Sequence, residues 1–156
     1  MPFYYPQFKD LISQTLKSME LYSESAVNLL LGTAAQESGF GTYIRQIRGP
    51  ARGVFQCEPA TELDIWDNYL RYKLELADRI LRVTGVKHPS ATHLETHLDY
   101  QIALCRVHYL RVKASLPAAD DIPGLAAYWK RHYNTALGAG TVDQFIDNYR
   151  KYCTTP

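Results

Sequence analysis

The feature that most constrains this chain is a run of 12 uncharged residues, Ser25 to Gln36, that leads directly into Glu37, Ser38 and Gly39. It is too short to span a bilayer as a helix and too apolar to lie on a surface. It must therefore form a helix inside a folded core. Ser23 is placed to cap its start and Gly39 to stop it, which predicts a helix from about Glu24 to Ser38. A chain of 156 residues, 46% of them hydrophobic, can enclose such a helix in one domain spanning residues 1–156.

The remaining segments also read as helices. "QFKDLISQTLKSMEL" has Phe8, Leu11, Ile12 and Leu16 at helical spacing. "PATELDIWDNYL" opens on a first-turn proline and repeats Leu63, Trp66 and Leu70, and "KLELADRILRVTG" continues or restarts it up to Gly85. The longest helix is expected within "LETHLDYQIALCRVHYLRVKASL", with Leu98, Ile102, Cys105 and Tyr109 on one stripe. "LPAADDIPG" breaks the pattern before "LAAYWKRHY" and "TVDQFIDNYRKY". Thr141 and Gln144 form a capping box at the start of the last of these. No segment shows strong strand alternation, so the fold class is mainly α with little or no sheet.

Several functions are disfavoured. A net charge of +1 gives no field to capture nucleic acid or an acidic membrane. Cys57, Cys105 and Cys153 are odd in number and widely spaced, which implies reduced thiols rather than a disulfide framework or a zinc site. His93 and His97 stand four apart, as in zinc proteases, but Leu94 occupies the position of the general-base glutamate and no third ligand is evident. No metal and no cofactor are expected.

On a helical wheel, Ser38 falls within the apolar stripe of Val27, Leu30, Leu31 and Ala34, and Glu37 at its edge. A carboxyl leaning towards the core has its pKa raised, as a general acid requires. Geometry alone favours the plainer reading of a partly exposed helix-terminal glutamate.

Three motifs in order, "ESGFG", "GVFQCEPAT" and "HYNTALGAGT", resemble the lysozyme-like lytic transglycosylases. The resemblance covers residues 34–61 and 126–140, and "YIRQIRGPARGVFQCEPAT" is similar to a phage-encoded branch. It implies a lysozyme-like helical domain that cleaves peptidoglycan between N-acetylmuramic acid and N-acetylglucosamine. Glu37 would be general acid and then base, giving a 1,6-anhydro product. Ser38 and Gln56 would bind the sugar, Tyr133 would orient the Glu37 carboxyl, and Asn134 would shape the cleft. The partners implied are glycan strands and, in a phage setting, virion proteins, with neither nucleic acid nor membrane insertion.

"MPFYYPQFKDLISQTLKSMEL" lacks the features of a secretion signal. This predicts synthesis in the bacterial cytoplasm and action at the wall after release through a pore, injection, or assembly into a virion. Cys57 and Glu58 depart from the apolar pair that follows the glutamine in the family. Glu58, Glu62 and Asp64 leave a second carboxylate, and thus simple hydrolysis, open. Arg45, Arg48 and Arg52 are open to two readings, anion contacts or a solvated loop. The rival from another class is a non-catalytic virion structural or wall-binding protein with the same fold.

Overall fold

In the computed structural model, residues 1–134 and 138–155 are described. They form eight α-helices and no sheet: α1 (Tyr5–Ser18), α2 (Glu24–Ser38), α3 (Pro59–Asn68), α4 (Leu74–Thr84), α5 (His93–Thr96), α6 (Leu98–Leu110), α7 (Ile122–Trp129) and α8 (Val142–Tyr152). A 3₁₀ turn at Leu70–Tyr72 links α3 to α4, and a π turn at Lys130–Asn134 extends α7. Two isolated antiparallel bridges, Arg45 with Arg52 and Arg52 with Cys57, are the sole strand-like pairings among the described residues.

The central helix is α2. Ser23 caps it by accepting from Ala26 N, and Gly39 ends it in the left-handed conformation. Val27, Leu29, Leu30, Leu31 and Ala34 are all buried, because α2 is surrounded by α1, α6, α7 and α8. Phe8, Phe40, Trp129 and Phe145 complete this cluster. A second cluster gathers Met19, Ile65, Trp66, Leu76 and Ile80. Helix α6 walls both: Ile102, Cys105 and Tyr109 face the first, and Tyr100, Ala103, Leu104 and Val107 the second.

Three expectations from the sequence need correction. The "LETHLDYQIALCRVHYLRVKASL" segment does not hold the longest helix; α6 has 13 residues against 15 in α2. His97 is extended (φ −120°, ψ 101°), so a one-turn helix ends there before α6 begins, and α6 stops at Leu110. Leu63 is exposed, and the buried face of α3 is instead Glu62, Ile65 and Trp66. That face turns inward because Tyr100 OH and Ser90 N both donate to Glu62 Oε2, while Trp66 Nε1 donates to Tyr100 OH. The buried carboxylate is thus satisfied, and the helix rotates to reach its donors. Among the described residues no helix is long and apolar enough to cross a membrane.

Helices α2 and α8 touch where Gly32 meets Phe145. A Cβ at Gly32 would lie 2.2 Å from Phe145 Cζ. Alanine favours a helix over glycine by about 1 kcal/mol, but overpacking costs about 1 to 3 kcal/mol and displaces the Phe145 ring. Gly32→Ala is therefore expected to be neutral to destabilising by about 2 kcal/mol, read as a lower urea midpoint. A clear rise in the midpoint would show that this contact yields freely.

Candidate active site

The end of α2 opens onto a cleft of about 570 Å³. Its lining includes Gln36, Glu37, Gln46, Gln56, Glu58 and Asn134. Among the described residues no lysine or arginine is in that lining, and its amide side chains come from four separate segments. Such a surface suits a neutral, hydroxyl- and amide-bearing ligand better than a polyanion.

Glu37 is the most perturbed carboxyl in the cleft. Burial at the edge of the apolar stripe pushes its pKa from 4.5 up to about 7, against a smaller lowering by Trp129. The Trp129 indole Nε1 donates to Glu37 Oε1 at 3.0 Å across 92 residues of sequence. Trp129 is itself fully buried against Phe145, so the donor is rigid. The last turn of α2 holds no basic residue, and the negative end of the helix dipole further disfavours a charged carboxylate there.

Ser38 has a different role from the one expected. Its side chain is buried, and Oγ donates to Ala34 O while accepting from Gly41 N. Both its capacities are used to hold the turn Gly39–Gly41, where Gly39, Phe40 and Gly41 all have positive φ. Phe40 accepts this strained conformation because its ring is buried, edge-on to Phe8 and stacked on Tyr152. Ser38 therefore fixes the chain's exit from α2 and does not present a hydroxyl to the cleft.

The second motif forms a tight turn. Arg52 and Cys57 exchange backbone hydrogen bonds at 2.9 Å, while Val54 and Phe55 are buried. Gly53 (φ 80°) has no room for a Cβ, which would lie 2.0 Å from the Leu94 carbonyl. Gln56, also left-handed (φ 49°), lines the cleft and donates from Nε2 to Gly53 O at 2.8 Å. The turn thus buries the apolar pair Val54 and Phe55 and leaves Gln56 at the cleft.

Tyr133 and Asn134 do reach the same cleft as Glu37. The Tyr133 hydroxyl, however, donates to Phe55 O at 2.6 Å, and the carboxyl's hydrogen-bond donor is Trp129. Tyr133 thereby joins the π turn to the Gly53–Cys57 turn, with its ring against His108 and Tyr109. Asn134 Oδ1 accepts from Lys130 Nζ, which also donates to Gly138 O and Gly140 O. Residues 135–137 of the third motif lie outside the described residues.

Of the three further carboxylates, Glu58 alone lines the cleft. Glu62 is buried against Tyr100 and Ser90, and Asp64 pairs with Arg111 at 2.8 Å. Arg45 and Arg52 both grip Glu95, at 2.7 and 2.6 Å, and so serve the loop's shape, while Arg48 is exposed. His93 and His97 contact one another across the α5–α6 break, with their Nδ1 atoms on Ser90 and Thr96. No cluster of three metal-ligating side chains occurs among the described residues. The three cysteines are free. Compared with protein-family models, curated proteins and solved structures, the chain matches none.

A raised pKa in the folded state makes stability depend on pH. Below pH 4 the Glu37 carboxyl is protonated whether the chain is folded or not. Between 4.5 and about 7 the unfolded chain ionises first, so stability falls as pH rises and stays lower above that window. The full difference is about 3 kcal/mol. Glu37→Gln is expected to raise stability at pH 8 by up to that amount and to change it little at pH 4. Urea titrations at the two pH values check this, and equal effects at both would mean the carboxyl is not desolvated.

Proposed function

We propose that the protein cleaves peptidoglycan at the β-1,4 bond between N-acetylmuramic acid and N-acetylglucosamine, using a lysozyme-like fold. The observation that carries this reading is a half-buried Glu37 carboxyl, with a pKa near 7, at the wall of an open cleft whose described lining includes no lysine or arginine. At neutral pH a large fraction of such a carboxyl holds a proton it can give. In the proposed step it passes that proton to the glycosidic oxygen as the bond from that oxygen to the muramoyl C1 breaks. The C6 hydroxyl then adds to C1 and returns its proton to Glu37, leaving a 1,6-anhydro ring and a restored acid. No water is consumed and one carboxyl suffices. Gln36, Gln46, Gln56 and Asn134 supply amides suited to acetamido and hydroxyl groups.

Glu58, exposed and in the same cleft, favours a second reading in which it activates water and the product is a reducing sugar. Mass spectrometry of muropeptides released from sacculi separates the two. Glu37→Gln is expected to lower release by about 10²- to 10⁴-fold while the fold persists, and Glu58→Gln to cost far less. Equal losses, with hydrated products, would establish the two-carboxylate route. Wild-type protein that binds sacculi and releases nothing would mark a wall-binding or virion structural protein instead.

The pH profile tests the carboxyl's environment. Activity is expected to fall as pH rises through about 7, because the acid is lost. Trp129→Phe removes the donor that stabilises the carboxylate, so the alkaline limb is expected to move to higher pH. A limb that stays in place would mean another group sets it.

A further inference from the structure

Behind the cleft wall lies a small cavity of about 10 Å³. Arg52, Gln101 and His108 line it together with apolar groups such as Phe55 and Leu104. Four buried side-chain polar atoms among the described residues have no hydrogen-bond partner, and three of them belong to these residues: Arg52 Nε, Gln101 Nε2 and His108 Nδ1. Orphaned polar atoms are costly in a protein interior, and three of the residues that carry them line this one cavity.

The chemistry of the three atoms is determined by their other partners. Gln101 Oε1 accepts from Val54 N at 2.8 Å, which fixes the amide orientation and leaves Nε2 as a donor. His108 Nε2 sits 3.2 Å from the His132 carbonyl and can only donate there. Burial lowers the His108 pKa to about 4, so the ring is neutral and Nδ1 offers a lone pair. Arg52 Nε is a guanidinium N–H and can only donate. Two donors and one acceptor therefore sit on side chains that line a space of about one water molecule. A cation would meet Arg52, an anion the lone pair of His108, and any larger molecule the walls.

We propose that this cavity binds one internal water, which accepts from Arg52 Nε and Gln101 Nε2 and donates to His108 Nδ1. The site joins the Gly53–Cys57 turn to α6 directly behind the cleft, since Cys57, His108 and Tyr133 line both spaces. It stands independently of whether the cleft cuts a glycan.

A high-resolution crystal structure of the full chain is expected to show density about 2.7 to 3.2 Å from all three atoms. In solution, the Gln101 side-chain amide protons are expected to give rotating-frame cross-peaks to a long-lived water. His108→Phe removes the acceptor and fills the space, so those cross-peaks should vanish. If that variant does not fold, the wild-type density and spectra decide alone. Absent density, absent cross-peaks, or bromide bound at the position after a soak would each overturn the site. Cross-peaks unchanged in a folded His108→Phe would overturn it as well.

Discussion

The contact on which the site depends is the one between the Trp129 indole and the Glu37 carboxyl. A carboxyl at the end of an apolar helix is costly to ionise, because neighbouring side chains displace water and the helix end repels negative charge. One rigid donor offsets part of that cost and gives the group a defined orientation. Two or three donors would have made it an ordinary carboxylate, and none would have left it without direction. The surrounding fold maintains this balance: α8 presses Phe145 onto Trp129, and Ser38 holds the turn that ends α2.

The cleft's composition follows from the same economy. Four of its polar side chains are amides, each held by a hydrogen bond to another part of the chain. Gln56 is anchored to Gly53, and Gln36 accepts from Asn148 Nδ2 at 2.7 Å. The nearby cations are engaged elsewhere, Lys130 with Asn134 and two backbone carbonyls and Arg52 with Glu95. Charge that could have acted on a ligand is thus used to shape the loops around it.

What was legible in the sequence was local. Ser23 and Gly39 marked both ends of α2, and Thr141 with Gln144 marked the start of α8, because capping depends on residues within four positions. Glu37's lean towards the core was visible in the helical period and agrees with its raised pKa. What was not legible arose from distant partners in some places and from local turn contacts in others. His97 ends a one-turn helix just before α6, and α3 turns Leu63 outward so that Glu62 can reach Tyr100. Ser38 and Tyr133 were read as sugar and carboxyl ligands, yet both hold neighbouring backbone. Trp129 carried no motif at all. Its only signal was chemical, since a buried indole N–H needs an acceptor.

The 92 residues between Glu37 and Trp129 also bear on the order of events as the chain emerges from the ribosome. Helix α2 can form early, but its carboxyl stays in water until α7 arrives, and an exposed glutamate titrates as an ordinary acid. Contacts of such long sequence separation form late, after their loop entropy has been overcome. The perturbed carboxyl is accordingly a property of the completed fold. A chain ending before residue 129 has the glutamate without its indole partner, so the topology itself delays the carboxyl's final environment until the core has closed.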